Sequence, residues 1–242
     1  MRCKTIGLIG GMSWESSAEY YRLLNESIRS RFGGLHSAPC LLLSVDFEEI
    51  AALQRAGDWD ALTRKMTECA QSLVSAGAEL LLICTNTMHR AADEVQAAVP
   101  VPLVHIAEAT GARVAKAGFR RVGLLGTLYT MEQDFYRERL AREFSLDILI
   151  PEEADRHSVH QVIFSELCLG QTLDASREMY RGIMQRLVAR GAEAIILGCT
   201  EIMLLIGPED SPVPLFDTTA IHVQAALEAA LTPPSSKLPS EA

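Results

Sequence analysis

Two short polar clusters carry the groups best suited to chemistry, Thr85-Asn86-Thr87 and Cys199-Thr200-Glu201. Each ends an aliphatic run and opens a stretch of helical period, so each reads as a junction between a buried parallel strand and a helix. Ligands of open parallel sheets bind beyond the carboxyl ends of strands, where free backbone N–H groups and a helix N-terminus favour an anion. Both clusters are therefore expected to cradle a small carboxylate. Cys199 adds a thiol whose pKa is expected to fall at a helix start, giving a useful thiolate fraction. Thr85 adds a hydroxyl, a poor base that serves better as a proton donor. If the two face each other across one carbon, one group can take a proton from one side while the other returns one to the opposite side. That is what inverting a stereocentre requires.

The elements that must position them repeat. Gly77 to Thr85 aligns without gaps on Gly191 to Cys199, and Ile6-Gly7-Leu8-Ile9-Gly10 aligns on Val122-Gly123-Leu124-Leu125-Gly126 at nearly the same offset. Aliphatic strands alternating with helical segments give an α/β fold with mainly parallel sheets, built from two copies of one half. The first domain is expected over residues 1–112 plus 215–231 and the second over 113–214. The stretch from Ala220 to Leu231 reads as a helix returning to the first half, and residues 232–242, rich in Pro and Ser, as a disordered tail. Each residue taken alone has a plainer reading: Cys199 as a small buried apolar group, and Asn86, Thr87 and Thr200 as helix caps. Recurrence at equivalent junctions joins them into one site.

Other clusters are weighed in the same way. Gly10-Gly11-Met12-Ser13 lacks the G-x-G-x-x-G spacing of a dinucleotide site and reads as a tight turn capped by Ser13. Its counterpart, Gly126-Thr127-Leu128-Tyr129-Thr130, offers hydroxyls that could bind a small carboxylate. Phe47 through Gln54 to Trp59 is expected to supply a wall, with Glu48 and Glu49 on a solvated face. Arg55 reads as a surface residue or a side-chain carboxylate clamp. His89 lies one helical turn after Thr85 and reads as a structural histidine, with a base or metal ligand as the alternative.

Composition excludes several classes. A formal charge of −9 without a Lys/Arg cluster excludes a nucleic-acid partner. No apolar run approaches the roughly 18 residues of a membrane span, and the start of the chain carries no apolar leader, so a cytoplasmic setting is expected. The six cysteines include no C-x-x-C pair, which points to free thiols and no metal site. Pyridoxal phosphate needs a lysine for its Schiff base. Lys4, Lys65, Lys116 and Lys237 all lie away from the candidate motifs, so no cofactor is expected.

Gly10-Gly11-Met12-Ser13, Asp46-Phe47 through Gln54 and Gly57-Asp58-Trp59, Thr85-Asn86-Thr87, Gly126-Thr127 through Thr130-Met131, Glu166-Leu167 with Gly170, and Gly198-Cys199-Thr200-Glu201 together resemble the aspartate/glutamate racemase family. The resemblance covers nearly the whole chain apart from the tail. It implies two pseudo-symmetric Rossmann-like domains, an active site in the cleft between them, no cofactor and a homodimer. Position by position, it implies that Cys199 is the catalytic thiol. It makes Asn86, Thr87, Thr127, Thr130 and Thr200 ligands of the substrate's carboxylate or amino group, with Ser13 and Gln54 near the pocket. Where the family usually has Cys-Asn-Thr, this chain has Thr85-Asn86-Thr87, and strand alternation turns the preceding Cys84 away. The Thr85/Cys199 pair is similar to that of broad-specificity amino-acid racemases acting on polar substrates such as aspartate, glutamate or homoserine. Two further readings stay open: a decarboxylase or isomerase using Cys199 alone, and a non-catalytic amino-acid-binding protein.

Overall fold

The computed structural model describes residues 2–231, and the expected tail lies outside the described residues. The first half contains β1 (Ile6–Gly10), α1 (Trp14–Phe32), β2 (Cys40–Ser44), α2 (Phe47–Ala56), α3 (Trp59–Ser75), β3 (Leu80–Ile83), α4 (Ala92–Ala97) and α5 (Ile106–Lys116). There follow β4 (Arg121–Gly126), α6 (Leu128–Glu132), α7 (Asp134–Phe144), β5 (Asp147–Leu149), α8 (Glu153–Ser165) and α9 (Asp174–Ala189). The chain continues with β6 (Ala194–Gly198), α10 (Ile202–Leu205), β7 (Leu215–Asp217) and α11 (Thr218–Leu231).

The strands form two parallel sheets, ordered β2-β1-β3 and β5-β4-β6-β7. Every residue of β1, β3 and β6 is buried, as expected of aliphatic strands covered on both faces. The expected α/β architecture is thus present, and its duplication extends to register. Ile6 pairs with Leu80 as Val122 pairs with Ala194. A bridge from Leu81 to Leu103 repeats, in miniature, the pairing of Ile195 with Leu215. This register makes Thr85 and Cys199 structural equivalents, one strand end in each lobe.

The helices that follow the fourth position of each sheet are exchanged between lobes. Ile106, Ala107 and Val114 of α5 lie in the core of the second lobe. Val223, Ala226, Leu227, Ala230 and Leu231 of α11 pack with β1, β3 and α1 of the first. The domain limits read from the sequence differ from this packing, because a boundary at 112/113 cuts α5 and β7 belongs to the second sheet. We place the two crossings at about His105 and Asp217, which cap α5 and α11 through backbone N–H groups of the first turn. None of the described helices is long and apolar enough to cross a membrane.

Candidate active site

The carboxyl ends of β1, β3, β4 and β6 meet at the junction of the lobes. Close approach is built in by glycine. Gly11 has a φ of 90°, and a Cβ there would stand 2.3 Å from the Val45 carbonyl oxygen. At the ends of β4 and β6, a Cβ on Gly126 would stand 2.9 Å from the Gly198 carbonyl oxygen. Above them lies a small cleft lined by Met12, Phe47, Gln54, Thr85, Asn86 and Thr87 from the first lobe. Thr127, Ile163, Phe164, Cys168, Cys199 and Glu201 line it from the second. Its free volume of about 20 Å³ leaves room for roughly one water. Aromatic contacts join the lobes: Phe47 stacks on Phe164 at 6.0 Å within the lining, and Trp59 meets Tyr129 edge-on at 5.5 Å.

Six of the nine residues singled out from the sequence line this cleft directly: Gln54, Thr85, Asn86, Thr87, Thr127 and Cys199. The other three support it. The Ser13 hydroxyl donates to Glu201 Oε1 at 2.8 Å and also caps α1. The Thr130 hydroxyl lies 3.3 Å from those of Thr87 and Thr127, and Thr200 donates to Glu201 Oε2 at 3.0 Å. Thr87 and Thr127 are themselves 3.0 Å apart, so three hydroxyls from both lobes converge on one corner. Beside them, the Asn86 amide donates to Thr218 at 3.0 Å, while its buried Oδ1 has no partner. An unsatisfied buried acceptor is costly, and this one belongs to a residue that lines the cleft. Cys84 lies in the core of the first lobe, away from the cleft.

The Cys199 thiol departs from expectation. It is buried and donates to Glu201 Oε2 at 2.9 Å. Burial, reinforced by the neighbouring carboxylate, pushes it well above the ordinary thiol range, the reverse of the lowering expected at a helix start. The reason is local. The helix after Cys199, α10, has only four residues and begins at Ile202, so its dipole is small. Glu201 instead folds back to accept from Cys199, Thr200 and both the hydroxyl and N–H of Ser13. Sequence reasoning quoted Glu201 without giving it a role. A carboxylate two residues from a candidate thiol was the available signal. It also missed Cys168, Ile163 and Phe164, which only the packing of α8 and the turn after it brings to the cleft.

Beneath Thr85, His89 is structural, as read from the sequence. Its Nδ1 faces the Thr85 carbonyl at 2.8 Å and therefore carries the proton, while Nε2 accepts from the Ile106 N–H at 3.1 Å. His222 presents Nε2 to the Val104 carbonyl and accepts from Tyr20 at Nδ1, each at 2.8 Å. His105 lies against His89 with ring centroids 4.6 Å apart. Burial lowers all three, His222 to about 4 and His105 to about 3. Among the described residues no group of His, Cys, Asp and Glu is arranged to hold a metal ion.

The sequence profile of the Asp/Glu/hydantoin racemase family matches residues 9–226. A solved structure of a candidate Asp/Glu racemase from Yersinia pestis is 49% identical and superposes with a TM-score of 0.87, over 95% of this chain and 100% of that one. An aspartate racemase homologue from Pyrococcus horikoshii is 35% identical with a TM-score of 0.81, over 94% of this chain and 99% of that one. A broad-specificity amino-acid racemase from Bacillus subtilis is 21% identical, the match spanning 89% of this chain and 93% of the relative.

Proposed function

Because the chain belongs to the Asp/Glu/hydantoin racemase family, and is an isomerase acting on amino acids, we propose that it inverts the α-carbon without a cofactor through Thr85 and Cys199. The observation that carries this reading is the equivalence of these two residues by register, together with their shared lining of one interlobe cleft. The substrates belong to the polar amino acids, and the expected homodimer is part of the same reading.

The α-carboxylate fits the hydroxyl corner of Thr87, Thr127 and Thr130, and the ammonium fits Asn86 Oδ1. Binding there acidifies the α-proton by electrostatic preorganisation. Glu201 takes the thiol proton of Cys199 along their existing hydrogen bond, a nucleophile–base arrangement in which the base is a carboxylate. The thiolate then removes the α-proton. Thr85 delivers its hydroxyl proton to the opposite face and recovers one from water, and Glu201 returns its proton to solvent. An amino acid is far larger than the present cavity, so the cleft must widen to admit it, and the Phe47–Phe164 contact in its lining is the place to part.

Thr85→Ala is expected to suppress racemisation by about 10²–10⁴-fold, the usual worth of a positioned acid or base. With delivery to the opposite face removed, the enantiomer whose proton faces Cys199 should instead exchange that proton slowly with solvent, without inversion, as the captured proton equilibrates before it returns. Proton NMR in heavy water separates the two processes. Undiminished racemisation would remove Thr85 from the mechanism. Carbon dioxide release, in place of inversion, would favour the decarboxylase reading.

A further inference from the structure

We infer that the cleft selects amino acids with short, uncharged, hydrogen-bonding side chains, a hydroxyl or a carboxamide, over those bearing a second carboxylate. The inference rests on the racemase reading and narrows its substrate class. Among the described residues, Glu201 is the one charged side chain in the lining, and it is an anion. Arg55, the cation that could have clamped a side-chain carboxylate, is well exposed, pairs with Glu48 and does not line the cleft. Lys65 is engaged with Glu49, also outside the lining.

A dianionic substrate would therefore share a small enclosed volume with the buried Glu201 carboxylate, with no cation lining that volume. Like charges held together out of water repel strongly, because little solvent remains to screen them. The repulsion also acts on catalysis. Raising the negative potential around Cys199 makes its thiolate harder to form, at a thiol already pushed up by burial and by Glu201.

The neutral alternative has partners waiting. Met12, Phe47, Ile163 and Phe164 supply apolar lining for a methylene stem. Gln54 is buried, and its Nε2 donates to the Met88 thioether at 3.5 Å. Sulfur of this kind is a weak acceptor, so a hydroxyl or amide oxygen of a ligand would replace it with a better bond. The amide is thus a neutral contact suited to a neutral side chain.

The test uses the wild-type protein and two nearly isosteric pairs, asparagine against aspartate and glutamine against glutamate, which differ essentially in one charge. Chiral chromatography measures inversion of each at neutral pH. In both pairs kcat/KM for the amide should exceed that for the acid by about tenfold or more, which corresponds to about 1.4 kcal/mol. An acid equal to or ahead of its amide would overturn the inference. Gln54→Arg, which places a cation in the lining, should raise the acid-to-amide ratio by about tenfold, and an unchanged ratio would contradict the placement of the side chain beside Gln54. If no member of an amino-acid panel shows α-deuteration in heavy water, the racemase reading itself fails. Racemisation of all four with the acids ahead defeats the selectivity alone.

Discussion

Cys199→Ala should lower racemisation by about 10²–10⁴-fold while leaving the fold and ligand binding in place. Cys199 lines the cleft and contributes little to either core beyond its own small volume, so truncation deletes the acid–base group and little else. Glu201→Gln should act through the same bond from the other side. The carboxylate accepts from the thiol at 2.9 Å, and the amide cannot take its proton. The variant's thiol must then ionise into solvent from a pKa held high by burial. Its rate should climb about tenfold per pH unit across the neutral range, as the thiolate fraction does below its pKa, whereas the wild-type rate should be much flatter. A pH–rate profile of Glu201→Gln that parallels the wild type would show that Glu201 does not receive this proton. Full racemisation in Cys199→Ala would point to a different catalytic group, whereas amino-acid binding without racemisation in the wild type would point to a binding protein.

Stability should fall steeply as the pH drops from about 6.5 toward 4. His89, His105 and His222 are buried as neutral rings between the lobes, with His222 lowered to about 4 and His105 to about 3 from an ordinary value of 6.5. Burial is the main cause for each, and Arg139 adds to it at His105. Below 6.5 the unfolded chain binds protons at these positions while the folded chain does not. Their contribution is therefore fully present above that value and is lost as the pH falls toward the folded pKa. Each such histidine contributes a slope of about 1.4 kcal/mol per pH unit, so His222 alone contributes on the order of 3 kcal/mol across the window. Urea unfolding at a series of pH values measures this. His222→Gln retains a donor for the Val104 carbonyl and an acceptor for Tyr20, and should flatten the profile by about one proton. A wild-type midpoint that stays constant from pH 6.5 to 4 would show that the three rings titrate normally.

Legibility in the sequence followed the range of the forces involved. The repeat between Gly77–Thr85 and Gly191–Cys199 was visible because buried parallel strands impose aliphatic runs of fixed length, and it carried the equivalence that register makes physical. The hydroxyl corner was visible because Thr87, Thr127 and Thr130 follow strand ends. The exchange of α5 and α11 was only half visible. An apolar helical stripe states that a helix is covered, but not which of two similar sheets covers it. The thiol misled for a related reason: Cys199 does precede a helix, but one of four residues, and burial, with a carboxylate turning back on it, outweighs that dipole. His89 announced itself by its spacing from Thr85, whereas His105 and His222 reach it only through the crossings between lobes.

The opposed placement of Thr85 and Cys199 meets its most direct test in wild-type enzyme incubated with one enantiomer in heavy water, sampled over the first few per cent of conversion. Two groups on opposite faces predict deuterium at the α-carbon of the inverted product while the unconverted enantiomer keeps its protium. Deuterium entering the unconverted enantiomer as fast as product forms, or protium carried over into the product, would mean that a single group serves both faces.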